Sequence, residues 1–208
     1  MTKRSGRPLS DGLDGALSSP VKLRIARMLT DLPDKGFTGR ELARLIGVSH
    51  SSVQDAMRAF VANGLAVRIT VGRAHLFRAN RESYLFGAIQ GLFRKERRVP
   101  DDMVNELKAA FGGEAISVIL FGSYARGDEN PKSDIDVILV STDLASSEGS
   151  VHALGARFLR RYGVRLSAKV LTPEELRKKW NAPYVKAARL EGLVIAGKPL
   201  PEAMKDGD

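Results

Sequence analysis

The 208-residue sequence predicts an α+β protein of two domains, the first helical with a closing β-hairpin and the second α/β with a mixed sheet. Three observations favour this class. The chain is longer than a typical single domain. Apolar residues recur at helical spacing through the first half and then form continuous runs typical of buried strands. The two halves also differ in charge.

Charge is concentrated in the first half of the chain. Residues 1–98 contain 18 Lys and Arg against 8 Asp and Glu, a net charge of +10, whereas residues 99–208 contain 15 against 16, a net charge of −1. This asymmetry predicts that the first domain binds a polyanion and that the second has a different function. The alternative is that the arginine-rich helices are simply solvated.

Composition excludes several kinds of site. The chain has no cysteine, which excludes disulfides, thiolate metal ligands and thiol nucleophiles. The same absence fits a reducing compartment, and we expect a cytoplasmic protein. The basic start is not followed by an apolar signal segment, and the longest apolar runs are too short to span a bilayer, so we expect no membrane partner.

Three helices are predicted in the first domain, after a flexible tail at 1–12 that is polar and rich in Gly and Pro. The first helix begins at 18–20, where hydroxyl residues precede a proline. The second begins at 38–41, which has capping-box spacing. The third begins at 51–54, which has the same spacing, and it ends at an Asn-Gly pair.

Two β-prone runs, 65–70 and 74–79, follow the third helix and enclose a short turn that contains glycine. Helix, helix, turn, helix and hairpin is the order of a winged helix-turn-helix domain. Residues 13–80 resemble the winged-helix repressors of bacteria and archaea. We assign 13–98 to this DNA-binding domain, with a linker helix at 82–98 that ends before Pro100.

The winged-helix resemblance implies that the third helix enters the major groove of double-stranded DNA and that the wing reaches the backbone or minor groove. A role in transcription regulation follows from this resemblance. The alternative is a winged helix that binds a partner protein, which the basic charge disfavours. The implied DNA-binding residues are His50, Ser51, Ser52, Gln54 and Arg58 on the helix, with Arg68 and Arg73 on the wing.

Leu85, Ile89 and Leu92 form one apolar stripe along the linker helix. The stripe has two interpretations. It is either ordinary core or the seam of a homodimer, and two-fold dimers are common among winged-helix proteins that bind palindromic DNA.

Residues 99–208 are assigned to the second domain. Continuous apolar strands are predicted at 116–121, 134–140 and 164–171, with helical stretches between them and a closing edge strand at 192–197. This pattern predicts an α/β domain with a mixed sheet.

A motif that can carry chemistry joins the first two of these strands. Gly122 and Ser123 directly follow the first strand, and ten residues separate Ser123 from Asp134 and Asp136, which open the next strand. Glycine allows backbone to approach a phosphate closely, and a serine hydroxyl can bind phosphate oxygens. Alternation along a strand places the two aspartates on one face, where hard carboxylates can bind Mg²⁺.

Residues 122–137 resemble the GSx10DxD signature of the DNA polymerase β nucleotidyltransferase superfamily, in particular its minimal prokaryotic branch. The resemblance implies an α/β nucleotidyltransferase fold and transfer of a nucleoside monophosphate from an NTP to an acceptor, with Mg²⁺ as the cofactor. Gly122 and Ser123 would bind the nucleotide triphosphate. Asp134 and Asp136 would be the catalytic carboxylates and the metal ligands.

Arg126 and Ser133 are also implied as nucleotide-binding residues, which would touch phosphate oxygens or brace the loop. The alternative for Arg126 is a structural salt bridge to Asp128 or Asp136.

A departure from the superfamily pattern lies in the strand predicted at 164–171. Active members usually carry a third carboxylate on a later strand, but Ser167 or Lys169 stands where that acid is expected. Glu174 and Glu175 would replace it only with a different strand register, and a helix-capping role already accounts for them.

Two functions therefore stay open. The chain is either a DNA-binding nucleotidyltransferase that modifies a protein, an RNA or a small molecule, or a transcription regulator whose nucleotidyltransferase domain is an inactive nucleotide sensor.

Overall fold

The computed structural model describes residues 11–113, 115–128, 130 and 133–206, and the chain divides into two compact units between Arg97 and Arg98. Residues 1–10 of the predicted tail lie outside the described residues, whereas Asp11 and Gly12 are in a helix. The first unit contains α1 (Asp11–Leu17), α2 (Pro20–Asp31), β1 (Phe37–Thr38), α3 (Gly39–Ile46), α4 (His50–Ala62), β2 (Ala66–Val71) and β3 (Ala74–Ala79), and α5 (Tyr84–Phe111) contains the boundary.

Two helix starts in the first unit agree with the sequence prediction. The Ser19 hydroxyl accepts a hydrogen bond from the Lys22 N–H at 3.2 Å and caps α2. The Thr38 hydroxyl accepts one from the Glu41 N–H at 3.1 Å and caps α3. Each bond satisfies a backbone donor that the first turn of a helix leaves without an intrahelical partner.

The sequence predicted that Ser51 caps α4, but Ser49 is the capping residue, two positions earlier. Its hydroxyl accepts from the Ser52 N–H at 3.2 Å, and the helix begins at His50. Both serines can cap a helix, but the earlier start adds a backbone bond from the Val53 N–H to the Ser49 carbonyl at 3.3 Å. His50 and Ser51 therefore lie in the first turn of α4.

The hairpin of β2 and β3 forms the wing, and β1 pairs with β3 to complete an antiparallel sheet in the order β1-β3-β2. The two-residue strand β1 was not predicted, because it is too short to show a period. Phe37 on β1 lies opposite Phe77 on β3, and both are buried with Met57 and Phe60 of α4. This arrangement confirms the winged helix-turn-helix domain.

Two predictions for the linker helix are wrong. Helix α5 continues through Pro100, because both flanking segments have buried faces that stabilise the helix. Pro100 has no N–H group to donate to the Glu96 carbonyl, and Glu96 is an exposed residue. The core interpretation of the stripe is also wrong at Leu92, which is 53% exposed, whereas Phe93 is buried beside Ile89. The interpretation as a dimer seam stays a prediction.

The second unit is built around one mixed sheet. Its strands have the order β6-β5-β4-β7, with β5 and β6 parallel and the other pairs antiparallel, which confirms the predicted fold class. Its elements are β4 (Ser117–Phe121), α6 (Ser123–Arg126), β5 (Ile135–Val140), α7 (Leu144–Tyr162), β6 (Leu166–Leu171), α8 (Pro173–Lys178), α9 (Pro183–Glu191), β7 (Leu193–Gly197) and α10 (Leu200–Ala203).

Helices cover both faces of this sheet. On one face, Val137 and Leu139 of β5 pack in a cluster with Phe158 of α7. On the other face, Ile138 and Val140 pack in a cluster with residues of α8, α9 and α10. The central strands are therefore buried on both sides, which is why they appear in the sequence as continuous apolar runs.

Phe158 and Leu159 are adjacent in α7 but differ in burial, with exposed fractions of 0% and 54%. We expect Phe158→Ala to lower the free energy of unfolding by about 3–5 kcal/mol, because it leaves a cavity in a close-packed core. Leu159→Ala is the matched control and should change it by less than about 1 kcal/mol. Urea unfolding of both variants measures the difference, and equal effects would contradict this description of the core.

Candidate functional site

The predicted motif residues meet at one end of the sheet. In the antiparallel pairing of β4 and β5, Phe121 lies opposite Asp136. Gly122 and Ser123 directly follow Phe121, so they lie beside the start of β5. Asp134 is exposed and immediately precedes that strand. The strand register thus brings the Gly-Ser pair and the Asp-x-Asp pair together across ten intervening residues.

Gly122 lies close to the Asp136 carboxylate. Its backbone has φ +75° and ψ −153°, a conformation that side-chain-bearing residues rarely adopt. A Cβ atom added at Gly122 would lie 2.7 Å from Oδ2 of Asp136. The Asp136 carboxylate therefore occupies the space that any other residue would fill with its side chain.

The short helix α6 continues from this glycine. The N–H groups of Ala125 and Arg126 both donate to the Gly122 carbonyl, at 3.1 and 3.2 Å. The helix stops after one turn at Gly127, which has φ +71°. The Gly-Ser pair is thus held at the start of a single helical turn, directly after a buried strand.

Arg126 lies between two carboxylates. Its Nε is 3.0 Å from Oδ2 of Asp128, and its Nη1 is 2.7 Å from Oε1 of Glu191. The hydrogen bond to Asp128, with the attraction of both carboxylates, raises the pKa of Arg126 above its usual value. The salt bridge to Asp128 that the sequence left as an alternative is present. Glu191 was missed, because 65 residues separate it from Arg126 and no sequence signal joins them.

Ser133 braces the loop that precedes β5. Its hydroxyl accepts a hydrogen bond from the Asn130 N–H at 2.9 Å, and its own N–H donates to the Asn130 carbonyl at 2.8 Å. These two hydrogen bonds join Asn130 to Ser133 just before Asp134.

Strand β6 runs beside β5 and carries no carboxylate at this end. The parallel register places Ser167 next to Asp136 and Lys169 next to Ile138. Glu174 and Glu175 lie beyond the other end of β6, in α8. There Glu175 completes the capping box with Thr172. These two glutamates therefore do not replace the missing acid.

The carboxylates that remain suit a hard cation. Asp134 and Asp136 supply oxygen ligands, the kind that Mg²⁺ prefers. Across the described ranges, no group of three His, Cys, Asp or Glu side chains is placed to hold a metal ion together. The chemistry of these two carboxylates fits a hard divalent cation such as Mg²⁺.

The predicted DNA-binding residues lie on α4 and the wing. Arg58 forms an ion pair with Asp55, and both side chains are largely exposed, at 77% and 67%. The ring nitrogen Nε2 of His50 lies 3.1 Å from Nε2 of Gln54. The exposed members of the predicted set are His50, Ser51, Arg58, Arg68 and Arg73, whereas Ser52 and Gln54 are partly buried.

The second unit matches known proteins over most of its length. Residues 101–195 match the nucleotidyltransferase domain family. A protein of Methanocaldococcus jannaschii named "Putative protein adenylyltransferase MJ0604" is 36% identical over 100 residues, which are 48% of this chain and 97% of that protein. The chain belongs to the nucleotidyltransferase family. A second M. jannaschii protein, "Putative protein adenylyltransferase MJ1305", is 33% identical over 89 residues, which are 41% of this chain and 60% of that protein.

The first unit of this nucleotidyltransferase-family chain is similar to a solved structure from Mycobacterium bovis, the homodimeric winged helix-turn-helix DNA-binding domain of Mb0332. The identity is 20% and the TM-score is 0.35, with 46% of this chain and 92% of that chain covered.

Within the described part of the chain, no helix has the length and apolar character to cross a membrane.

Gly122 and Gly127 offer a matched test of the site geometry. Both have positive φ, but a Cβ at Gly127 would meet nothing within 4 Å. We expect Gly127→Ala to lower the free energy of unfolding by about 1 kcal/mol, from backbone strain alone. Gly122→Ala should lower it by at least about 2 kcal/mol, because its backbone region is more restricted and its Cβ collides with Asp136. Chemical denaturation of both variants measures this, and equal losses would contradict the close approach.

Proposed function

We propose that this chain is a DNA-binding nucleotidyltransferase that binds an NTP with Mg²⁺ and transfers a nucleoside monophosphate to a hydroxyl group of an acceptor protein. The observation that carries the proposal is the close approach of Asp136 to Gly122, where an added Cβ atom would lie 2.7 Å from Oδ2 of Asp136. It brings a candidate metal ligand and a candidate phosphate-binding loop to one place, as transfer from a triphosphate requires.

In this proposal, Gly122 and Ser123 bind the triphosphate through close backbone approach and the serine hydroxyl. Asp134 and Asp136 hold Mg²⁺, which when bound neutralises charge on the phosphates and orients them. Ser133 is bonded to Asn130 and supports the segment that leads into these aspartates. The acceptor oxygen forms a bond to the α-phosphorus as the bond to the leaving pyrophosphate breaks, and the hydroxyl proton passes to water.

A protein acceptor and an adenylyl group are supported by the relatives. Both M. jannaschii proteins are named as protein adenylyltransferases, and their similarity covers the unit that contains the Gly-Ser and Asp-x-Asp pairs. We therefore propose ATP as the nucleotide, ahead of the other three NTPs.

A second candidate function is a nucleotide sensor without turnover, which the register of β6 favours. Ser167 lies next to Asp136, where a third carboxylate would help to deprotonate the acceptor. The Lys169 ammonium on the same strand would compensate the negative charge of Asp134 and Asp136, as a bound metal cation otherwise would. In this function, nucleotide binding to the second unit would regulate DNA binding by the first unit.

Nucleotide binding is tested by calorimetric titration of ATP, CTP, GTP and UTP, with and without Mg²⁺. We expect ATP to bind in the presence of Mg²⁺, and Asp136→Ala to weaken it by at least about tenfold, because one of two metal-ligating carboxylates is lost. Asp143→Ala removes an aspartate that instead caps α7 and serves as the control. If no NTP binds the wild type, the proposed function is wrong.

Transfer is distinguished from sensing by incubating the chain with ATP labelled on the α-phosphate, Mg²⁺ and a mixture of cellular proteins as acceptors. Labelled protein that disappears with Asp134→Ala supports the enzyme. ATP binding without any label supports the sensor. In that case Ser167→Asp restores a carboxylate beside Asp136, and the appearance of label would identify the missing acid as the cause.

DNA binding is proposed for the first unit, because the net charge of +10 over residues 1–98 suits a polyanion. We expect affinity for duplex DNA to fall at least about tenfold between 50 and 200 mM salt, because counterions are released from the phosphates. Arg58→Ala combined with Arg73→Ala should weaken binding, whereas Arg160→Ala, an exposed arginine of the second unit, should not. Fluorescence anisotropy with a labelled duplex measures both effects, and salt-independent binding would argue for a protein-binding winged helix.

A further inference from the structure

The carboxylate of Glu191 is held in place at the edge of the candidate site. Glu191 is the last residue of α9, whose Val185 and Ala188 are buried against the sheet. The next residue is Gly192, where an added Cβ would lie 2.1 Å from the Ala188 carbonyl oxygen and 2.6 Å from Cγ2 of Ile119. The helix end is therefore packed directly on β4, which anchors the backbone at Glu191 to the sheet.

Strand pairing sets the end of the sheet at which Glu191 lies. Directly after Gly192, Leu193 opens β7 and pairs with Leu120 of β4. Because β7 and β4 are antiparallel, Glu191 lies near the end of β4 that leads into Gly122. From this position its Oε1 reaches Nη1 of Arg126 at 2.7 Å, so α9 is connected to the turn that carries Ser123.

The two carboxylates fix the orientation of the Arg126 guanidinium. A guanidinium is planar and has five N–H donors, and holding Nε with Asp128 and Nη1 with Glu191 sets its plane. Asp128 is only two residues away on the same loop and moves with it. Glu191 belongs to a different element that is packed on the sheet, so it is the contact that ties the guanidinium to the fold.

We propose that Glu191 is a positioning residue, which orients Arg126 so that its remaining N–H donors meet the β- and γ-phosphates of the nucleotide. The inference rests on the proposed function, since it requires a nucleotide at Gly122 and Ser123. A preoriented arginine binds phosphate without first losing side-chain freedom, which favours the triphosphate over nucleotides with fewer phosphates. Glu191 thereby contributes to selection of an NTP without touching it.

The experiment is calorimetric titration of ATP and AMP, with Mg²⁺, into the wild type, four single variants and one double variant. Glu191→Ala should weaken ATP binding roughly tenfold and leave AMP binding unchanged. Glu191→Gln retains an oxygen that accepts from Arg126 and should restore most of the ATP affinity. Glu174→Ala is the control, since it removes another glutamate of this unit, one that pairs with Lys178 at 2.8 Å. Arg126→Ala should weaken ATP binding, and adding Glu191→Ala to it should have no further effect.

The outcomes separate this inference from the proposed function. Failure of the wild type to bind ATP overturns both. ATP binding that Glu191→Ala leaves unchanged overturns the positioning role alone. Tighter ATP binding in Glu191→Ala would mean that the carboxylate competes with phosphate for Arg126, which also overturns it. Thermal unfolding without ligand checks that each variant is folded, and a weakened but folded Glu191→Ala chain with restored Glu191→Gln binding supports the proposal.

Discussion

The pairing of β4 with β5 is the constraint on which the second unit depends. Both strands are buried on both faces, so their register cannot shift without moving apolar side chains out of the core. That register sets Phe121 opposite Asp136. It therefore brings the backbone of Gly122, the residue after β4, close to the Asp136 carboxylate. This geometry favours glycine at 122, because its φ is +75° and an added Cβ atom would lie 2.7 Å from Oδ2 of Asp136. The core and the site are thus determined by the same strand pair.

The features that sequence reasoning predicted are those with local signals. Helix caps at Ser19 and Thr38 depend on residues three apart, and the strands of the second unit appear as uninterrupted apolar runs. The spaced Gly-Ser and Asp-x-Asp pairs also lie within one short stretch, so the sequence could place them together. Local chemistry and a strong period were sufficient in these cases.

The features that sequence reasoning missed depend on packing between distant segments. Glu191 reaches Arg126 only because α9 ends on β4, a contact that no spacing in the sequence indicates. Leu92 fits the helical period of α5 as well as Phe93 does, and only the three-dimensional core distinguishes them. Pro100 ordinarily ends a helix, but the buried faces on each side of it outweigh the loss of one backbone hydrogen bond.

The register of β6 has an evolutionary consequence. Ser167 already lies beside Asp136 on a neighbouring strand, so gaining or losing an acid there changes one side chain and leaves the backbone where it is. If the proposed role of a third acid is correct, a single codon change at position 167 would convert a transferase into a nucleotide sensor, or the reverse. Such a substitution would leave the candidate nucleotide site, the fold and the attached winged helix unchanged. Closely related chains could then differ in chemistry while remaining nearly identical in structure.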